Sequence, residues 1–470
     1  MQFPIRQTLT IMITSTSQNT HETDTANNVS CTTISTILTL AIPTFGQLIA
    51  EPAFVLIDTV IVGHVGGQAL GGLSVGSTIV LTVVGLCVFL AYSTTSQVGR
   101  LLGAGKRREG LEAGVDGLWL AGIIGVVVSV MLFAIARPLC MAMGAQGGIL
   151  HNAVDYVRAV VFGIPGMLLV YAANGIFRGL QKVRITLVAA VAGAVLNTIL
   201  DLLFIIGFGW GVFGSGVATL ISQWFMAVVL IVPAVLWTRA EDACLKPRLS
   251  GVLSSAGDGA VLFVRTLALR ACLVANVVLA THMGMQVLAA YQVVNSSWNF
   301  VLNMLDAIGI AGQTLVAAQI GARHERETMR LTRIAGRSGL CGGVAIGIGL
   351  MIAGWCASPL FSQSIEIQHL ITVGMMVVGV TLPLAGWMWA VDGILIGAGD
   401  YRYLALTCTA TAAIYVPCLA VIGWICDAMQ ASSALRMALL WLAVNLLFVG
   451  LRAIFNGFRI GTSTWLHIAH

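Results

Sequence analysis

Acidic residues interrupt the long apolar runs of this chain, among them Glu51, Asp58, Asp201, Asp306 and Asp392. A carboxylate placed centrally in a bilayer costs roughly 2.5–3.5 kcal/mol on insertion scales, and such residues usually mark an ion or substrate path. Asp58 falls about five residues from one end of its apolar run, roughly 8 Å deep at the helical rise, and Asp201 about six residues from the same face. Asn197 precedes Asp201 by four, so amide and carboxylate share one helix face, and Thr219 comes close to the same layer. Two nearby carboxylates in a low-dielectric chamber raise each other's affinity for protons or cations. The structural alternative is a buried Asp that caps a helix or satisfies a hydroxyl. Glu51 shares the face of Asp58, yet the adjacent Pro52 makes a helix-break role an equal alternative. Asp306 and Asp392 could form a second cation site, or pair with Arg265 or Arg270 on the seventh apolar run.

The elements that must position these groups follow from composition. Of 470 residues, 58% are hydrophobic and 9% charged, against about 25% charged in ordinary soluble proteins. That excludes a disordered chain, a nucleic-acid-coating protein and nearly every soluble enzyme. Apolar runs fall near 35–62, 68–95, 114–136, 149–177, 185–207 and 212–237. Six more lie near 254–281, 287–318, 336–357, 369–397, 403–426 and 434–457. The fold class is therefore all-α and membrane-integral, with twelve spans. Residues 1–33 are polar and lack a signal-peptide pattern, so a disordered cytoplasmic tail is expected there. Alternate breaks carry Lys106–Arg108, Lys182 and Arg184, Arg239–Arg248, Arg323–Arg333 and Arg402, whereas His64–Gln68, Gly207–Gly214 and His282–Gln286 carry no Lys or Arg. The positive-inside rule then puts both termini in the cytoplasm, in a plasma (inner) membrane.

The chain resembles itself at a shift of 218 residues. His64, Gly66, Gln68 and Leu70 fall on His282, Gly284, Gln286 and Leu288, and Gly103-Ala104 falls on Gly321-Ala322. Gly175, Ile176, Gly179 and Arg184 fall on Gly393, Ile394, Gly397 and Arg402. Six spans per unit make the repeats parallel, with a cavity between two bundles. The expected division is a six-helix unit over 34–240, a cytoplasmic linker over 241–253, a second unit over 254–460 and a short tail over 461–470. The units are chemically unequal, because Asp58 falls on Asn276 and Asp201 on Leu419.

Other signals lead nowhere. "GFGWGVFG" at Gly207–Gly214 contains a formal GxGxxG, but no strand precedes it and it sits in a hairpin. "GAGKRREG" near Lys106 lacks Walker spacing. The ten cysteines form no CxxC pair and the eight histidines no ligand pattern. No nucleophile–base or metal constellation supports an enzyme, so a membrane-embedded enzyme is the least favoured class.

Several separated segments together resemble the multidrug and toxin extrusion (MATE) family, within it the DinF-like branch. They are "EPAFVLIDTVIVGHVG" from Glu51, "FRGLQKVRITL" from Phe177, "NTILDLLFIIGFGWGVFGSGVATL" from Asn197, "AAYQVVNSSWNF" from Ala289 and "VDGILIGAGDYRYL" from Val391. The resemblance implies two six-helix lobes that export organic cations or amphipathic drugs and toxins in exchange for H⁺ or Na⁺. It makes Asp58 the coupling carboxylate, with Asn174, Asn197, Asp201 and Thr219 as polar partners, and Pro43 the site of a first-helix bend. Tyr171 stands where some members carry Asn, and Asn276 stands where some Na⁺-coupled members carry an acid, which favours protons. The expectation is a proton-coupled antiporter working by alternating access. It would be a monomer among membrane lipids, with a small-molecule drug or toxin as partner, no nucleic acid, and no cofactor or metal beyond the coupling ion. A Na⁺-coupled exporter and a lipid-linked oligosaccharide flippase are the alternatives.

Overall fold

A computed structural model describes residues 34–468, apart from the side chain of Glu51. The tail expected over 1–33, and the side chain of Glu51, lie outside the described residues. Among the described residues the regular secondary structure is entirely helical. Inside a bilayer a helix satisfies every backbone polar group within its own segment, and these apolar sequences have no other way to do so. The first half comprises α1 (Ile34–Gly63), α2 (Gly67–Gly103), α3 (Arg107–Ala142), α4 (Gly147–Gly179), α5 (Val183–Gly207) and α6 (Gly211–Ala240). The second comprises α7 (Leu249–His282), α8 (Met285–Gly321), α9 (Glu325–Phe361), α10 (Ile365–Ala398), α11 (Tyr401–Ala428) and α12 (Ser433–Gly461).

The twelve helices match the twelve apolar runs but overshoot them, chiefly at the basic ends. α3 starts at Arg107, where Lys106–Glu109 (3.1 Å) and Arg108–Glu112 (3.3 Å) ion pairs carry the helix past the hydrocarbon. α7 starts at Leu249, inside the stretch read as linker from its polarity, and its Ser255 and Asp258 meet Gln97 of α2 at 3.2 and 3.1 Å. Beyond α12, Trp465 is fully buried in the stretch read as a tail. Two helices leave regular α geometry: α5 closes in a π-helical turn, Leu202–Gly207, directly after Asp201, and α12 contains another at Ala443–Val449. Such π turns frequently accompany functional sites.

Packing repeats between the halves. α2 and α3 lie on α4, and α1 lies on α5; in the second half α8 and α9 lie on α10, and α7 on α11. Small residues make the close seams, as expected where lipid supplies no hydrophobic drive between helices. Gly339, Gly343 and Gly347 of α9 face Gly386, Leu382 and Gly379 of α10 so closely that an added Cβ would sit 2.2–2.6 Å from a carbonyl oxygen.

The halves join on the basic-loop side. There α2 crosses α8 at two glycines related by the repeat shift. A Cβ on Gly103 would lie 1.8 Å from Ala318 O, and one on Gly321 would lie 1.9 Å from Arg100 O. Ser96 Oγ donates to Ile396 O (2.7 Å), and Gln313 Nε2 donates to Tyr92 O (2.8 Å) and Ser96 Oγ (3.1 Å). Arg248, just before α7, pairs with Glu112 (2.6 Å) and Asp116 (2.8 Å) of α3. A cleft lined by α2, α7, α8, α10 and α12 lies between the halves, and a second cavity lies on the basic-loop side, lined by Arg100, Lys106, Arg248 and Arg323 among others.

Candidate functional site

α1, α4, α5 and α6 enclose the first acidic cluster. Asp58 points inward from α1 and is buried, and Asp201, the last residue of α5 before its π turn, is fully buried. Their carboxyl groups are close enough to influence each other. Asn197 Nδ2 donates to Asp201 Oδ2 at 2.9 Å. The Oδ1 atoms of both acids have no protein hydrogen-bond partner, nor have Thr219 Oγ1, Ser215 Oγ and Ser222 Oγ on α6. A cavity of about 20 Å³ lies against Asp58, Thr219, Tyr156 and Gln223, closed by Phe54 and Met167. The arrangement offers unpartnered oxygens around two acids in a small pocket. Chemically, that is a place to hold a proton.

Asn174 belongs to a neighbouring cavity of about 60 Å³, lined also by Gln47, Tyr171 and Thr186. Phe54, Met167 and Gln223 border both cavities and separate Asn174 from Asp58. Gln47 Oε1 accepts from Arg178 Nη2 at 2.8 Å. Pro43 lies toward the basic-loop end of α1, about 22 Å along the axis from Asp58 at the helical rise, and α1 is continuous through Pro43 and Pro52.

The second cluster lines the cleft between the halves. Asp392 of α10 accepts from Arg265 of α7 in a close ion pair, from Arg452 of α12 (3.1 Å) and from Asn456 (3.1 Å). Arg452 lies 5.2 Å from the Trp389 ring centre and 5.6 Å from that of Phe448. The guanidinium is thus paired and held between aromatic faces, an arrangement suited to arginine. Asp306 does not join this carboxylate as a shared site. Its Oδ2 accepts from the Tyr92 hydroxyl of the other half at 3.0 Å. Arg270 lines the same cleft and is exposed.

Asp58, Asp201, Asn197 and Thr219 therefore converge, Asn174 lies next door, and Asp306 and Asp392 stand apart in the cleft. Sequence reading overlooked Arg452, although it falls inside the run 434–457 and the same scarcity of charge would have marked it. Tyr156 and Gln223 had no comparable signal, because nothing in their own segments distinguishes a cavity wall from packing.

Comparison with known proteins bears on what such a body does. The MatE family model matches residues 43–203 and 249–424, taking in both clusters except their residues on α6 and α12. The chain belongs to the MatE family. Members of this family are membrane transporters, so the protein is a transporter and not an enzyme. Protein DETOXIFICATION 42 of Arabidopsis thaliana is 26% identical over 376 residues, 79% of this chain and 70% of that protein. DNA damage-inducible protein F of Escherichia coli is 26% identical over 424 residues, 88% of this chain and 89% of that one. Among solved structures, the Vibrio cholerae MATE transporter VcmN in the bent form superposes with a TM-score of 0.82 at 18% identity. It covers 92% of this chain and 98% of its own, a likeness of fold.

Proposed function

We propose that this MatE transporter is a proton-coupled antiporter that expels an amphipathic drug or toxin by alternating access. It would act as a monomer in the plasma (inner) membrane, with the basic-loop face toward the cytoplasm. The observation that carries the reading is the buried Asp58–Asp201 pair with its unpartnered acceptor oxygens. Two carboxylates in contact away from water repel strongly when both are charged, and a shared proton removes that repulsion. Protons arriving from the outer side would load Asp58 and Asp201, with Asn197 and Thr219 adjusting around them. Straightening or bending of α1 at Pro43 would then transmit the change to the cleft. Loss of the protons on the inner side would reset the cycle.

A Na⁺ site on Asp306 and Asp392 has weaker support. Both oxygens of Asp392 are held by Arg265, Arg452 and Asn456, and a metal ion there would have to displace guanidinium groups. The deciding experiment is efflux from sodium-free vesicles under an imposed pH gradient. Wild type is expected to export, and Asp58→Asn to lose about a hundredfold or more of pH-driven rate while keeping its folded yield. Full proton-driven export by Asp58→Asn would sink the assignment.

A further inference from the structure

The cleft has a volume of about 270 Å³, and its charged lining comes from the second half. Three guanidinium groups reach it, from Arg265, Arg270 and Arg452, against the carboxylates of Asp306 and Asp392. Asp392 is bound to Arg265 and Arg452. Asp306 accepts from the Tyr92 hydroxyl at 3.0 Å and makes no ion pair among the described residues. Among the described residues no ion pair includes Arg270. The cleft thus holds three guanidinium groups against two carboxylates, a surplus of one positive charge.

The leftover charge has a defined place. Arg270 lies about 7.5 Å beyond Arg265 along α7, toward the face without basic loops. Its Nη2 is 3.1 Å from where a Cβ on Gly85 would sit, so it reaches across the cleft to α2. Asn299 and Asn303 of α8, four residues apart, line the same space and can donate through their amides. Leu273 and Trp389 supply apolar wall. Buried Nε–H groups of Arg265 and Arg452 have no protein acceptor. Guanidinium groups outnumber carboxylates on this wall, whereas the pocket around Asp58 is lined by no guanidinium.

We propose that the cleft takes an organic anion, an amphipathic carboxylate with an aromatic or aliphatic body, anchored by Arg270, and that organic cations are poor ligands. A planar guanidinium matches a carboxylate through two parallel hydrogen bonds. The asparagine amides then add donors, and the apolar wall takes the body of the ligand. Only the identification of the cleft as the substrate site rests on the transport reading.

The test is equilibrium binding to the purified full chain in detergent, using 2-naphthoate and 2-naphthylmethylammonium as probes of one shape and opposite charge. Naphthoate is expected to bind at least about tenfold more tightly, and Arg270→Gln to remove about tenfold of that affinity while leaving the ammonium probe unchanged. Arg270→Lys should keep part of the preference. Tighter binding of the ammonium probe to wild type, or naphthoate binding indifferent to Arg270→Gln, overturns the proposal. The wild-type preference needs no variant, and Asn303→Leu gives a smaller loss by the same route should Arg270→Gln fail to fold. Arg270-dependent naphthoate binding without pH-driven efflux would defeat the proton reading alone.

Discussion

The two halves share a fold and a repeat register, yet they put charge at different levels. In the first half the outer position holds Asp58, Asn197 and Asp201. The same shift of 218 puts Asn276, Tyr415 and Leu419 in the second. There the Tyr415 hydroxyl donates to Asn276 Oδ1 at 2.5 Å, Leu419 is buried beside them, and no acid is present. Tyr156, which walls the Asp58 cavity, becomes Gly374, and the space is filled by Met437, whose Cε would lie 2.7 Å from a Cβ at that glycine. At the deeper level the exchange runs the other way. Gln47 and Asn174 of the first half correspond to Arg265 and Asp392 of the second. A neutral pair lining a small cavity in one half is a buried ion pair at the cleft in the other. One repeat has kept its scaffold and moved its chemistry, so that the paired acids and the guanidinium-lined cleft fall to different halves.

The largest expected effect comes from breaking the ion pair. Asp392→Ala would leave Arg265 and Arg452 buried face to face without a countercharge, which costs about 3–5 kcal/mol. Thermal or denaturant unfolding in detergent reads this directly, and a loss below about 1 kcal/mol would show that the cleft tolerates free guanidinium groups. Next comes an attempt to copy the acid across. Asn276→Asp places a carboxyl beside Tyr415 with no second acid, and is expected to cost about 1–3 kcal/mol of stability. It should leave the pH dependence of efflux as in wild type; a shifted pH profile would mean the second half can also carry protons. The smallest change is Tyr415→Phe, which removes one buried hydrogen bond and should cost about 1 kcal/mol or less. Efflux should be unaltered, since the Asn276–Tyr415 contact only closes a site that the first half keeps open.

Much of this was legible in the residues. Twelve apolar runs, the alternation of basic breaks and the constant shift fix helix number and the parallel repeat, because lipid admits no other backbone solution for such segments. The layer shared by Asp58 and Asp201 followed from counting the helical rise, and the Asn197–Asp201 bond from four-residue spacing. What spacing could not settle was partner choice. Asp392 was open to a metal ion, Arg265 or Arg270, and the fold turned Arg265 and Arg452 toward it and Arg270 away. Asn174 was grouped with Asp58 by resemblance, but Phe54, Met167 and Gln223 come between them.

The sequence by itself determined which residues must lie in lipid, which face carries the basic loops and that two like units meet. Those are one-dimensional facts, set by the free energy of moving each side chain from water to hydrocarbon. Only the tertiary structure decided which charges cancel. Ion pairing depends on distances of a few ångströms between helices remote in sequence, which the packing within each half sets. Among the described residues that packing leaves acceptors unpaired around Asp58 and Arg270 without an ion pair.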